Sequence, residues 1–176
     1  MKQKCTFSIS DIDAGWFDMD FKIKEKIVAN IDASYIANKS PRDLLKILTD
    51  LITEKIDTGY VLFFNEPGVD ILSLEKGVLT IAYSEEEDEA FKGNIPLCGN
   101  MTFDEISNII DIEKIDLQEE IDIKIFIHSV YKAFYKYANN RLLYDKYEEN
   151  WDYFPDKEWK AFEQCVKQKG WNKKDW

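Results

Sequence analysis

Between residues 5 and 34 the chain alternates apolar and polar side chains three times in succession, which constrains the fold more than any other feature. Cys5, Phe7 and Ile9 alternate with Thr6, Ser8 and Ser10; Phe17, Met19, Phe21 and Ile23 alternate with Asp18, Asp20, Lys22 and Lys24. Ile27, Ala29, Ile31 and Ala33 then stand opposite Asn30, Asp32 and Ser34. A period of two sends successive side chains to opposite faces of a strand, so each run predicts a half-buried strand. The turns at 11–15 and 24–26 are too short for crossovers, and the three runs predict an antiparallel meander.

The period changes at Ser40. Ser40 suits an N-cap, Pro41 the first helical position, and Asp43 places negative charge near the helix N-terminus. Leu44, Leu45, Ile47, Leu48, Leu51 and Ile52 recur at helical spacing, predicting a helix to about residue 56 that Gly59 stops. Residues 60–65 are apolar on both faces and read as a central strand. Strands over 69–75 and 78–84 follow, joined at Lys76-Gly77, where glycine supplies the positive φ of a hairpin. Pro67-Gly68 has the order of a type II turn, and Thr102-Phe103-Asp104-Glu105 matches a capping box. The longest helical pattern runs over 117–143, and Pro155-Asp156 opens a last helix that Gly170 ends.

These elements predict one α+β domain over residues 1–170, followed by a loosely ordered tail over 171–176. Its sheet is an antiparallel one of about six strands in sequential meander order, with helices packed on one face. The expected core contains Phe17, Met19, Phe21, Ile31, Leu44, Leu48, Leu51, Leu62, Phe64, Leu72, Ile81, Ile125 and Phe134.

Charge narrows the function. Against 34 acidic residues stand 23 basic ones, a net charge of −11, with a single histidine. Nucleic-acid affinity rests on Lys and Arg displacing counterions from phosphates, so no nucleic-acid partner is expected, and an anionic membrane surface is equally unfavourable. A basic protein partner is favoured through steering. No apolar run follows the first charged residues and no stretch approaches about 20 apolar residues, so neither a secretory signal nor a membrane span is expected. Cys5, Cys98 and Cys165 are odd in number and widely spaced, which fits a reducing cytoplasm rather than a disulfide framework.

Chemistry is sparsely represented. Asp11, Asp13, Asp18 and Asp20 resemble the start of a calcium loop, but its glycine and glutamate positions hold Trp16 and Lys22. A solvated turn is the better account, and no metal is expected. His128 stands mid-helix with no nucleophile in view, and no phosphate-loop, dinucleotide or zinc-protease motif occurs. No catalytic residue and no cofactor is assigned.

Two sets of residues stand out as contacts for a partner. Glu85, Glu86, Glu87, Asp88 and Glu89 form a solvated acidic run, and Tyr147, Trp151 and Tyr153 lie in an aromatic segment interleaved with acids. The same rings would also serve to cover the end of the sheet. Ser34, Tyr35 and Glu66 sit at strand ends and could share one surface.

Four segments carry a resemblance: Ala33-Ser34-Tyr35-Ile36, Pro41-Arg42-Asp43-Leu44-Leu45, Asn65-Glu66-Pro67-Gly68, and Tyr147 through Trp151 to Phe154-Pro155. In this order the chain resembles a group of small bacterial proteins similar to immunity-type and orphan cytoplasmic domains. The resemblance implies architecture and carries no catalytic residue. With the charge, it leads to the expectation of a non-enzymatic protein-binding domain, an immunity-type inhibitor of a basic toxin or effector. The alternative is an enzyme or small-ligand protein whose site forms no motif.

Overall fold

The computed structural model describes residues 2–35, 40–85 and 95–173. In it the three alternating runs become β1 (Cys5–Asp13), β2 (Trp16–Ile23) and β3 (Lys26–Ser34), paired antiparallel in that order. Each hairpin closes on two residues of positive φ: Ala14 (49°) and Gly15 (87°), then Lys24 (52°) and Glu25 (63°). This is the backbone of a primed two-residue turn, whose twist matches the flanking strands. Phe7, Phe17, Met19, Phe21, Ile31 and Ala33 are buried on the inner face, as the alternation requires.

The meander does not continue into a six-stranded sheet. Helix α1 (Ser40–Ile52) intervenes, and β4 (Thr58–Phe64) opens a second sheet. That sheet comprises β4, β5 (Val69–Glu75), β6 (Val78–Ser84), β7 (Cys98–Gly99) and β8 (Lys114–Glu120), in the order β7-β4-β5-β6-β8. All its pairings are antiparallel. The physical reason for the break lies in the faces. The first sheet keeps one face polar, whereas β4 is buried at every position and needs cover on both sides.

That cover also corrects the expectation of helices on one face. One side of the second sheet, with Val61, Phe63, Leu72 and Ile81, joins a core shared with the first sheet and the helices. The other side, with Tyr60, Leu62, Phe64, Val69 and Ile71, packs against Ile95, Ile106 and Ile110. Ile106 comes from the short helix α2 (Phe103–Ser107), whose Thr102–Glu105 capping box forms as the sequence predicts.

A second correction concerns residues 114–120, which include the start (117–120) of the longest helical pattern. They form the edge strand β8, paired with β6. A buried β6 needs a neighbour on each side for its backbone, and Ile115 and Leu117 fit a strand as well as a helix. Helix α3 (Ile123–Ala138) begins only where the Asp122 carboxylate caps it, accepting from the N–H groups of Lys124 and Ile125. Asn140 caps a separate helix α4 (Arg141–Asn150) in the same way, and α5 (Asp156–Gln168) follows.

The 65–68 turn differs too. Gly68 has no positive φ, so the turn is not type II; Glu66 is left-handed at 36° and the Glu66–Pro67 peptide is cis. Glycine is required at 68 for another reason. A Cβ there would stand 2.4 Å from the Tyr83 ring and 2.6 Å from the Ser84 carbonyl oxygen.

Helix α3 packs on β1, and α1 packs on β4 and α5. The aromatic residues fill the junction: Phe134 on α3 lies 6.5 Å from the rings of Phe7, Phe17 and Trp159. Of the expected core, Leu51 and Ile125 are only partly buried and the rest are buried. Of the expected tail over 171–176, residues 174–176 lie outside the described residues, and the Trp171 carbonyl accepts from His128 Nδ1 at 2.8 Å. Among the described residues no helix is long and apolar enough to cross a membrane.

Candidate functional site

The polar face of the first sheet is built by the same period of two that builds its core. On β2, Trp16, Asp18 and Asp20 point away from Phe17, Met19 and Phe21. A bulge in β1 between Ile9 and Asp11 shifts the register by one residue. It sets Asp11 rather than Ser10 opposite Asp18, and turns Ile12 into the core opposite Phe17. On the other side Asp18 pairs with Asp32 of β3. Three aspartates therefore form a row across three strands, and Asp20 stands one step along the face.

Like charges directly opposite one another repel across a ladder. Partial burial, then Asp32, Asp11 and Asp20 in turn, push the Asp18 carboxyl above its ordinary value. Asp11 goes the other way: Lys146 Nζ lies 2.8 Å from its Oδ1 and holds it below the usual range. Lys22 approaches Asp20 at 3.7 Å, and the Asn30 amide donates to Asp32 at 3.3 Å.

An aromatic border lies at one end of this face. Trp16, opposite Ser34, is 37% exposed, and Tyr35 next to Ser34 is 53% exposed. The Tyr35 N–H donates to the Gly15 carbonyl at 2.8 Å, and its ring meets that of Trp151 edge-on at 6.4 Å. The Ser34 hydroxyl donates to Glu66 Oε1. The three residues expected to share a surface lie close together here, but Ser34 is buried and only Tyr35 and Glu66 are exposed; Tyr35 links them to the aromatic segment. Beside the corner, Arg42 and residues 151–158 line a cavity of about 290 Å³.

The other residues expected to meet a partner separate by burial. Tyr153 is 83% exposed. Tyr147 is fully enclosed, with ring contacts to Phe17 at 5.8 Å and Phe154 at 5.2 Å, and offers a partner no surface. Trp151 is buried against Phe17 at 5.5 Å and shows only an edge. Glu85 is exposed, while Glu86, Glu87, Asp88 and Glu89 lie outside the described residues.

Among the described residues, Asp70 is the one strongly perturbed carboxyl. It is buried on β5, accepts a hydrogen bond from the Asn65 amide at 2.8 Å, and is pushed up to about 7 by burial, aided by Asp32 and Asp116. Cys5 is buried and its thiol is pushed up to about 11 by that burial, so it is no nucleophile at neutral pH. Among the described residues no group of three or more His, Cys, Asp or Glu side chains could hold a metal ion. The arrangement is suited to attracting cationic groups to an open face.

Sequence reasoning placed Asp18 and Asp20 on a polar strand face but read Asp11 and Asp13 as turn, so the row went unseen. The available signal was the phase: Cys5, Phe7 and Ile9 are odd-numbered, whereas buried Ile12 is even-numbered, as a bulge requires. No protein-family model matches the chain, and no curated protein or solved structure is significantly similar to it.

Proposed function

We propose that this protein is a non-enzymatic binding domain, an immunity-type inhibitor that covers a basic site on a toxin or effector. The observation that carries the reading is the Asp11–Asp18–Asp32 row on the polar face of the first sheet, with Asp11 and Asp32 exposed and Asp18 half-buried. A free protein gains nothing from opposed carboxylates, which repel. A partner presenting Lys or Arg relieves that repulsion, so the carboxylates favour the complex over the free state. Trp16 and Tyr35 at the border supply the kind of aromatic anchor on which interface energy concentrates. A toxin acting on nucleic acid needs a basic cleft, and an acidic face associates with such a cleft quickly.

The test is capture of a partner from the native host, followed by binding across a salt series. The expected partner is basic, its association slows with salt, and Asp18→Asn with Asp32→Asn flattens that dependence. An acidic partner, or one whose binding ignores both substitutions, overturns the reading.

A further inference from the structure

On another part of the molecule the charge pattern inverts. A groove of about 800 Å³ runs between β1 and the flank of α3. Lys2, Lys4, Lys22, Lys24, Lys132 and Lys136 line it, and among the described residues Glu25 is the only acidic one in its walls. In a chain of net charge −11 this concentration is far from the average. Lys2 and Lys22 have partners, Glu120 and Asp20, each at 3.7 Å. Lys4, Lys24, Lys132 and Lys136 make no ion pair among the described residues. Lys132 and Lys136 stand one turn apart on α3, where like charges destabilise a helix.

We infer that this groove binds a short acidic segment of a protein partner, with carboxylates on the lysine rim and aliphatic side chains on the floor. The floor carries the half-buried Ile9, Ile125 and Ala133. Residues 125–137 of α3, at about 1.5 Å each, give a length of about 20 Å. An extended peptide covers that distance in about six residues. Side chains rather than strand addition hold the segment, because α3 takes the Phe7 N–H on the outer edge of β1 and β8 takes the N–H of Gln3 just before that strand. Phe7 N–H donates to Ser129 Oγ at 2.8 Å, and Gln3 N–H to the Glu120 carbonyl at 2.8 Å.

Charge and shape both favour a peptide over a nucleic acid. Single strands bind through exposed rings on which bases stack. Of the rings in this groove, Phe7 and Tyr137 are buried, and the half-buried His128 ring is tied to the Trp171 carbonyl through Nδ1. A phosphodiester chain longer than the groove would also run onto Asp20, Glu25 and Glu120 at its borders.

The probe is a fluorescein-labelled peptide of about eight residues alternating Glu with Leu or Val, titrated by anisotropy against the intact 176-residue chain. Polyglutamate and oligothymidylate of equal length are the comparisons. The alternating peptide is expected to bind best, and to weaken steadily between about 0.05 M and 0.3 M salt. Lys132→Glu with Lys136→Glu should weaken it by about tenfold or more, with an unchanged circular dichroism spectrum. Lys4→Glu, on a different element, serves as an independent variant and should act in the same direction. No binding at low salt, or binding that all these substitutions leave intact, overturns the inference. Equal binding of polyglutamate removes the role of the apolar floor, and tighter binding of oligothymidylate reassigns the groove to nucleic acid; both overturn it as well.

Discussion

Asp18 faces Asp32 directly across the β2–β3 ladder, and among the described residues neither carboxylate pairs with a cation. Asp11 stands on the other side of Asp18, so the central aspartate carries repulsion from both strands. The arrangement is a cost to the free fold, limited by the solvent that screens a largely open face.

Asp18→Asn should therefore stabilise the free protein at pH 7 by about 0.5 kcal/mol. The folded carboxyl is raised above its unfolded value, so its penalty is absent below pH about 4 and develops as pH rises through the folded value. Denaturant titrations of both proteins at pH 4 and pH 7 check this: the gain should be present at pH 7 and vanish at pH 4.

Asp70 gives a larger effect of the same sign. Its folded value of about 7 lies well above the unfolded one, so the native state holds the proton more tightly between pH about 4 and 7. Stability must then fall as pH rises through this window. Asp70→Asn keeps the size and an amide that Asn65 can still meet, and should flatten that fall while raising the melting temperature at pH 8. A melting series from pH 4 to 8 with an unchanged slope in the variant would rule out Asp70 as the cause.

What the sequence made legible was local. The strands over 5–34, the helix from Ser40 and the capping box at Thr102 follow from periods and caps that need no distant partner. What it hid depended on pairing. The bulge at residues 9–11 shows only once β1 lies against β2, and the strand at 114–120 exists because β6 needs a neighbour. Net charge misled as well, because it averages the aspartate row and the lysine groove into one number. Tyr147 and Trp151 read either as partner contacts, from their acidic neighbours, or as cover for the end of the sheet, and they are buried. At helical spacing, however, those acids face solvent while the rings turn inward.

Gly68→Ala tests the packing of the 65–68 turn. The added Cβ would meet the Tyr83 ring, which can move, and the Ser84 carbonyl oxygen, which cannot without shifting β6. Overpacking of this kind costs about 1–3 kcal/mol. The loss should appear in denaturant unfolding. Because the clash involves backbone, trimming Tyr83 to Ala in the same chain should not restore it.

The last prediction separates the two exposed-looking aromatics of the carboxy-terminal segment. Trp151 is buried against Phe17 and touches Tyr35 only at its edge, whereas Tyr153, two residues on, is 83% exposed. Trp151→Ala opens a cavity between α4 and β2 and should cost about 3 kcal/mol or more. Tyr153→Ala removes almost no packing and should stay within about 0.5 kcal/mol of the parent. If the Tyr35–Trp151 corner borders the partner-binding face, Tyr153→Ala should weaken a captured partner by up to about 2 kcal/mol at unchanged stability. Trp151→Ala would then lose binding in step with folding, and its residual affinity should recover under conditions that stabilise the fold, such as sulfate. Equal destabilisation by the two substitutions would show that Tyr153 packs as Trp151 does, and would remove it from the binding surface.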